Sequence, residues 1–256
     1  MIRKKRISII TVCYNAVKEL EKTIQSVRTQ TYNDYEFIII DGGSTDGTVE
    51  FVNRNKDVVS VFISETDYGI YDAMNKGVKA SSGEWLHMLN AGDTYADENV
   101  LSNIFAKPIP SDINVLFSDF YTYNKKGNRI RYVVDMINRP SFNHQCTIYR
   151  RCLHEKHGLY IVTPQIIISD ILFFYSIPSN EIMKVDYVIA YFEGGGISSK
   201  GNWSLQQWLC ADVVFRKRTF MNMICTYFYR QLRDSVPECF RSFVRNLIGW
   251  KARNIF

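Results

Sequence analysis

Residues 35–48 read YEFIIIDGGSTDGT, an apolar run that ends at Asp41 and continues with Gly, Ser, Thr and Asp. A continuous apolar run is typical of a strand that is buried on both faces, as in a parallel sheet. The glycines permit a sharp exit from the strand, and Ser44, Thr45 and Asp46 are suited to cap a following helix. Ligands of open parallel sheets bind outside the carboxyl ends of the strands. Asp41 therefore either accepts hydrogen bonds from a ribose or a base edge, or only caps the turn.

Similar apolar runs predict further strands, and helical spacing separates them. The strands are expected over 7–13, 36–40, 58–63 and 85–89, and the helices over 17–30 and 46–55. This order predicts an α/β protein with an open, mostly parallel sheet and helices on both faces.

The pattern changes after about residue 110. A β-hairpin is expected within 115–134, strands over 145–149 and 185–192, and a helix over 166–176. From Trp203 onward the pattern is helical. We therefore predict a compact domain over 1–199 and a helical extension over 200–256.

Bulk composition limits the classes of protein. The chain of 256 residues has no apolar run of about 18 residues, and the apolar stretch after the basic start is too short for a signal peptide. The six cysteines show no CxxC pair, which favours free thiols. These features predict a cytoplasmic protein.

Polar residues end all four of the first predicted strands. The first strand ends in TVCYN, SETDYGIYDAMNKG follows the third strand, and NAGD ends the fourth. Asp93 of NAGD is suited to hold Mg²⁺ or Mn²⁺ together with substrate phosphates, although it is equally suited to cap a helix. Chance placement of the whole series is less plausible than chance placement of any one member.

Four blocks of the sequence resemble glycosyltransferase family 2, the inverting nucleotide-sugar enzymes with a GT-A fold. These blocks are SIITVCYN, DGGSTDGT, ETDYGIYDAMNKGVKASSGEWLHMLNAGD and FNHQCTIYRR. The resemblance covers about residues 6–196, and the chain is similar in particular to bacterial enzymes that build surface polysaccharides. It implies nucleotide-sugar binding by about 1–110, and acceptor binding and catalysis by about 111–199.

The resemblance also implies site residues. Nine residues are expected to bind the nucleotide: Thr11, Cys13, Tyr14, Asn15, Asp41, Gly42, Asp67, Asn75 and Asn90. Asp93 matches the last aspartate of the Asp-x-Asp metal motif, which implies Mn²⁺ or Mg²⁺ as cofactor. Asn90 and Ala91 stand where a first aspartate is usual, so metal dependence needs a test.

The catalytic base is expected near the start of a helix after the His-Gln block, which points to Asp170. The alternative is that Asp170 is an acidic residue favoured by the helix dipole. His144 and Gln145 are expected to contact the acceptor or the diphosphate, or to be structural. Gly195, in the glycine-rich stretch 191–199, is expected in a loop that closes over the diphosphate, or in a simple turn.

The extension from Lys200 carries ten basic and three acidic residues among many aromatic ones. This mixture suits an anionic membrane surface, and the alternatives are a helix packed on the domain or a homodimer contact. Nucleic acid is not expected, because the α/β body is acidic and no recognition module is present.

Three functions follow from these features. The first is a hexosyl- or N-acetylhexosaminyl-transferase that uses a nucleotide-diphosphate sugar, expected to be UDP-linked, and extends a lipid-linked saccharide at the inner face of the plasma membrane. The second is a nucleotide-sugar-binding subunit without transfer activity. The third is a nucleotidyltransferase, although TVCYNAVKEL lacks the basic phosphate loop usual there.

Overall fold

The computed structural model describes residues 5–124, 127–134, 143–192 and 203–232. The helices and strands below are taken from these ranges.

A seven-stranded mixed sheet forms the centre of the molecule. Its order is β10-β6-β9-β4-β1-β2-β3, and β9 alone runs against the other six strands. The strands are β1 (Ile7–Cys13), β2 (Tyr35–Asp41), β3 (Val61–Ser64), β4 (Trp85–Met88), β6 (Val115–Phe117), β9 (Thr147–Arg150) and β10 (Ile182–Lys184).

A second, four-stranded sheet has the order β5-β11-β7-β8. Its strands are β5 (Thr94–Tyr95), β7 (Phe120–Tyr123), β8 (Arg129–Tyr132) and β11 (Ala190–Tyr191). The helices are α1 (Val17–Arg28), α2 (Thr48–Asn53), α3 (Ile70–Ala80), α4 (Val100–Phe105), α5 (Cys152–His157), α6 (Ser169–Tyr175), α7 (Trp203–Val214) and α8 (Phe220–Leu232).

Helices cover both faces of the large sheet, and this explains the continuous apolar runs. Ile9 of β1 packs with Leu20 and Ile24 of α1 in one apolar cluster. Its neighbour Ile10 belongs to a second cluster with Met74 of α3. Successive residues of a strand point to opposite faces, so each face of the buried strand requires an apolar side chain.

The predicted fold class is confirmed, and the first strand has the predicted bounds. After residue 110, the hairpin expected within 115–134 is confirmed as β7 and β8. Its first strand was expected to begin at Val115, but Val115–Phe117 form β6 of the large sheet and pair with β9. Of the strand predicted over 185–192, the structure has β11 at Ala190–Tyr191, while β10 ends before this range and lies in the other sheet.

Helix α7 packs on the α/β body. Leu205 and Leu209 are buried, and the Trp208 indole N–H donates to the Tyr175 hydroxyl, at 3.1 Å. Tyr175 in turn donates to the buried Asp212 carboxylate at 2.8 Å, and Arg218 pairs with the same carboxylate at 3.1 Å. Packing on the domain, one of the alternatives for the extension, therefore describes α7. No helix within the described ranges has the length and apolar character needed to cross a membrane.

Candidate active site

The loop after β2 is organised by Asp41. Its carboxylate is buried and accepts hydrogen bonds from the backbone N–H groups of Gly43, at 3.2 Å, and Ser44, at 3.0 Å. The hydroxyls of Ser44 and Ser64 also donate to it. Asp41 thus caps the turn, which was one of the two roles considered for it. A nucleotide group that bonds to this carboxylate would do so in addition to these four donors.

Asp67, after β3, lies directly beside the same loop. A Cβ atom added to Gly42 would be 2.6 Å from Asp67 Oδ2 and 3.4 Å from the Tyr14 ring. Asp67 Oδ1 accepts from the Gly69 backbone N–H at 2.8 Å. Because Gly42 has no side chain, the Asp67 carboxylate has room beside it. The Tyr14 ring, which is exposed, lies next to the same position.

The loops after β1 and β2 are bonded to each other. Asn15, which has a positive φ of 48°, accepts from the Thr45 N–H, and its own N–H donates to Ser44 Oγ at 2.7 Å. Asp46 accepts from the backbone N–H groups of Thr48, at the start of α2, and Val17, at the start of α1. Hydrogen bonding from Thr48 is the first cause that lowers the Asp46 pKa. These contacts fix the two loops as one surface.

The thiol of Cys13 lies close to several of these acidic side chains. Its thiol lies 3.7 Å from Asp41 Oδ1. Burial raises the thiol pKa, and the negative charges of Asp41, Asp46 and Asp67 raise it further. Carboxylates from two strand ends thus lie near one thiol.

Two predicted nucleotide ligands face the protein interior instead. The Thr11 hydroxyl is buried and donates to the Leu89 carbonyl. The Asn75 amide donates to the Tyr160 carbonyl at 2.8 Å and accepts from the Tyr160 N–H at 2.9 Å. Both side chains have their hydrogen-bonding groups occupied by backbone, so the structure does not support nucleotide contacts from them.

The NAGD segment follows β4 at the same edge of the sheet. The Thr23 hydroxyl of α1 donates to the Asp93 carbonyl at 2.8 Å, and the Gly92 N–H donates back to that hydroxyl at 3.0 Å. The described residues contain no cluster of three or more metal-ligating side chains. A divalent cation fits here only if Asp93 supplies the single protein carboxylate, with diphosphate oxygens and waters in the other positions.

A chain of side-chain hydrogen bonds joins NAGD to the candidate base. Asn90 Nδ2 lies 2.9 Å from His144 Nε2, and His144 Nδ1 lies 2.7 Å from Asp170 Oδ2. The Tyr71 hydroxyl donates to Asp170 Oδ1 at 2.7 Å. Tyr71, His144 and, through His144, Asn90 are therefore linked to the Asp170 carboxylate across sequence separations of up to 99 residues.

The ring of His144 is held on both sides. A carboxylate only accepts hydrogen bonds, so Nδ1 of His144 carries the proton that it donates to Asp170, and the Asn90 amide lies at Nε2. The Asn90 Oδ1 atom is buried and has no hydrogen-bond partner in the described part of the chain.

Asp170 is the second residue of α6, and 8% of it is exposed. Burial alone raises the pKa of this carboxyl, but hydrogen bonding and charge from His144, followed by the Tyr71 hydrogen bond, outweigh it, and the net pKa is lowered. The group is thus held as a carboxylate and is able to accept a proton.

Gln145 lies in the turn that precedes β9 and is buried. Its carbonyl lies 2.9 Å from His87 Nε2, and His87 Nδ1 lies 3.0 Å from the Tyr95 hydroxyl. Burial lowers the His87 pKa to about 4. His87 therefore links the two sheets as a neutral ring. Gly195 lies outside the described residues.

Tyr71 and Ser64 are site residues that the sequence analysis missed. Tyr71 lies within the DYGIYDAMN block, but no local pattern shows that its hydroxyl points to a residue near position 170. Ser64 ends β3 opposite Asp41, and the parallel pairing of β2 with β3 brings them together. A parallel sheet was predicted without its strand order, so the position of Ser64 beside Asp41 follows only once β2 and β3 are known to be neighbours.

A separate cavity of about 530 Å³ lies at the opposite edge of the large sheet. Glu84 there forms ion pairs with both Arg6 and Arg150. Because these basic groups already have an acidic partner and lie at the amino end of β1, the cavity is not part of the site above.

The mixed sheet carries acidic residues and a largely buried histidine–carboxylate pair at its carboxyl edge, an arrangement typical of an α/β enzyme that binds its ligand there. The family model "Glycosyl transferase family 2" matches residues 8–163. The chain belongs to glycosyltransferase family 2.

Individual relatives agree with this assignment. The chain is 30% identical over 204 residues to a PGL/p-HBAD biosynthesis glycosyltransferase of Mycobacterium bovis. The aligned region covers 75% of this chain and 78% of that protein. Among solved structures, it is similar to S. aureus TarS 1–349 in complex with UDP-GlcNAc, with a TM-score of 0.66, 18% identity, and coverage of 93% of this chain and 70% of that chain. It spans 43% of a longer TarS chain.

A mannosyltransferase from Pyrobaculum calidifontis, in complex with GDP-Man and Mn²⁺, is also similar. The TM-score is 0.59 at 16% identity, and the match covers 97% of this chain and 70% of that chain. At these identities the structural matches establish the fold.

Proposed function

We propose that this enzyme transfers a sugar, with inversion, from a nucleotide-diphosphate sugar to a lipid-linked saccharide acceptor in bacterial surface polysaccharide synthesis. The observation that carries the proposal is the hydrogen-bonded chain Asn90–His144–Asp170–Tyr71, which holds one ionised carboxylate at the edge where the strand-end acids lie. The donor is proposed to be UDP-linked, and the sugar a hexose or an N-acetylhexosamine. The choice of a UDP-linked donor is in keeping with the TarS structure, which has a similar fold and is in complex with UDP-GlcNAc.

The reaction is a single displacement. The acceptor oxygen forms a bond to the anomeric carbon while the bond from that carbon to the diphosphate oxygen breaks. The electron pair of that bond leaves with the nucleoside diphosphate, and the proton of the acceptor hydroxyl goes to Asp170. His144 and Tyr71 hold both carboxylate oxygens in place, so Asp170 is presented to the acceptor in one orientation.

The nucleotide is proposed to occupy the surface formed by the loops after β1, β2 and β3. Asp41, Gly42 and Asp67 lie together there, with Asn15 fixing the loop and the exposed Tyr14 ring available to stack on the base. Cys13 contributes to the floor beneath Asp41.

A Mn²⁺ or Mg²⁺ ion is proposed as cofactor, with Asp93 as its protein ligand. When bound, the ion stabilises the charge that develops on the leaving diphosphate. The structure of the Pyrobaculum mannosyltransferase is in complex with GDP-Man and Mn²⁺, which is in keeping with this proposal. Because one carboxylate is a weak site, the ion is expected to bind together with the nucleotide.

A lipid-linked acceptor places the enzyme at the inner face of the plasma membrane. The basic and aromatic residues that continue beyond α8 in the sequence support a peripheral contact with anionic lipid. A homodimer contact through the same extension is the alternative.

The test is nucleoside diphosphate release from a panel of nucleotide sugars, with and without Mn²⁺ or Mg²⁺, in the presence of a lipid-linked saccharide extract. Asp170→Asn is expected to abolish turnover and to retain UDP affinity in calorimetry. Asp186→Asn, at an exposed aspartate on the segment after β10, is the control and is expected to keep full activity.

Other outcomes would replace the proposal. UDP binding without turnover by any donor would favour a binding subunit, and release of pyrophosphate would favour nucleotidyl transfer. Full turnover in Asp170→Asn would remove Asp170 as the base.

A further inference from the structure

An unusual group of apolar side chains lies exposed next to α6. Leu159, Ile161, Val162 and Trp203 are 39%, 47%, 37% and 51% exposed, respectively. We call these four residues the apolar rim. Three of them fall within four consecutive positions, and no residue from 158 to 169 is charged. Exposed apolar groups gathered in this way mark a binding surface more often than single exposed residues do.

The rim is held in position by hydrogen bonds. Tyr160, between Leu159 and Ile161, is buried, and its backbone is bonded on both sides to the Asn75 amide of α3. Its hydroxyl lies 2.9 Å from that of Tyr149 in β9. The Tyr160 ring is therefore anchored inward, while its two neighbours remain exposed.

Two contacts connect the rim to the candidate base. The Ile161 N–H donates to the hydroxyl of Ser169, the residue before Asp170, at 2.6 Å. The Tyr160 ring lies 5.8 Å from the ring of Tyr71, whose hydroxyl donates to Asp170. The backbone of the rim is therefore bonded to the residue that precedes Asp170, the carboxylate to which the acceptor hydroxyl must come.

Helix α7 adds the fourth member. The Trp203 indole N–H donates to the Gln165 carbonyl at 2.7 Å, and the Ile167 N–H donates to the Gln207 side chain at 3.0 Å. Since the polar atom of Trp203 is occupied by the backbone, the exposed part of this residue is apolar.

We propose that the apolar rim binds a hydrocarbon chain carried by the acceptor, adjacent to the hydroxyl that receives the sugar. This inference rests on the proposed function and specifies its acceptor. The hydrocarbon chain of the acceptor is attached close to the sugar that reacts, and not separated from it by many sugar units. The absence of charge over 158–169 argues against a phosphate or a further charged saccharide at this place.

The test uses hexyl, heptyl and octyl β-glucosides below their micelle concentrations, with affinity measured by saturation-transfer NMR on the full chain. Burial of one CH₂ group corresponds to about a fourfold change in affinity. We expect the dissociation constant of the wild-type protein to fall about two- to fourfold for each added CH₂. We expect Ile161→Ser/Val162→Ser to lose this dependence on chain length.

Two controls distinguish binding at the apolar rim from nonspecific hydrophobic binding and from misfolding of the variant. Phe220→Ser/Phe228→Ser changes two exposed apolar residues of α8 and is expected to leave the chain-length dependence intact. The rim variant is expected to bind UDP with wild-type affinity, which shows that its donor site is folded.

The proposal is overturned if wild-type protein that binds UDP shows no dependence on chain length, or if the rim variant retains it. It is also overturned if the rim variant only converts a dimer to a monomer in sedimentation, since the rim would then be a contact between two copies. Failure of UDP to bind would instead contradict the proposed donor, and the alkyl glucoside series would still decide the role of the rim.

Discussion

At the scale of single residues, the hydrogen bonds to Asp170 determine how readily it accepts a proton. The bond and charge from His144 are the first causes that lower the Asp170 pKa against the effect of burial. Removing this donor leaves a buried carboxylate whose pKa rises. The role of His144 can therefore be measured through the titration of another residue.

We predict that His144→Phe moves the acidic limb of the kcat/KM profile to higher pH and lowers activity at pH 7 by about 10- to 100-fold. His144→Asn, which keeps an N–H donor, should recover part of both effects. Tyr160→Phe is the control, because its hydroxyl bonds to Tyr149 and not to Asp170. An unchanged acidic limb in His144→Phe would show that His144 does not act through Asp170.

Gly42 allows a prediction about the nucleotide surface. A methyl group at this position would lie 2.6 Å from Asp67 Oδ2, the end of a side chain that is able to turn away. Gly42→Ala should therefore displace the Asp67 carboxylate with little loss of stability, and weaken UDP binding about tenfold in calorimetry.

Asp67→Asn should have a similar effect, and the double variant should be no weaker than the weaker single variant, since both act on one carboxylate. Additive losses, or full affinity in Gly42→Ala, would separate Asp67 from nucleotide binding.

At the scale of elements, the sequence patterns predicted those strands whose burial is determined locally. Strand β1 is buried on both faces, and its apolar run has the same bounds as the strand. The position of the three residues of β6 is instead determined by pairing with β9, about 30 positions later in the sequence. The local pattern does not contain this information and therefore assigned them to a hairpin. Tyr71 was missed for the same reason, because only the fold determines the partner of its hydroxyl.

Two buried histidines connect elements and make stability depend on pH. His87 links β4 to Tyr95 of β5 and to Gln145, which precedes β9, and His154 of α5 bonds to Tyr149 of β9. Burial lowers the pKa of each from 6.5 to about 4. The unfolded chain therefore binds these protons at a higher pH than the native chain does.

We predict that the free energy of unfolding decreases as the pH falls from about 6.5 to about 4, by on the order of 3 kcal/mol for each histidine. The lowered carboxyl pKa values of Asp46, Asp119 and Asp170 act below about 3.8 and that of Glu181 below about 4.5, so the histidines determine the change between about 6.5 and 4.5. Denaturant titrations at several pH values should show a smaller slope in His87→Gln and in His154→Gln. His157→Gln is the control, and equal slopes in all variants would contradict the prediction.

At the scale of the whole molecule, the α/β body and the extension are not separated where the composition changes. The first turns of α7 bond to Gln165 and Ile167, close to the apolar rim, and Asp212 of α7 is buried with Tyr175 of α6. The basic residues Arg233, Arg241, Arg245, Lys251 and Arg253 all follow α8 in the sequence. Removing the whole extension would therefore mix a structural effect with an electrostatic one, and the two can be separated by the position of the truncation.

We predict that a chain ending at Leu232 keeps its thermal midpoint within a few degrees and binds UDP normally, but no longer floats with anionic vesicles. Each basic residue near an anionic surface contributes about 1 kcal/mol. The truncation removes five basic residues and the acidic Asp234 and Glu238, a net charge of +3, so binding should fall by about a hundredfold. A chain ending at Gly201 should in addition lose stability, because it exposes the apolar residues that α7 covers. If the chain ending at Leu232 floats as well as the full chain, at both low and high salt, the residues after α8 do not bind the membrane.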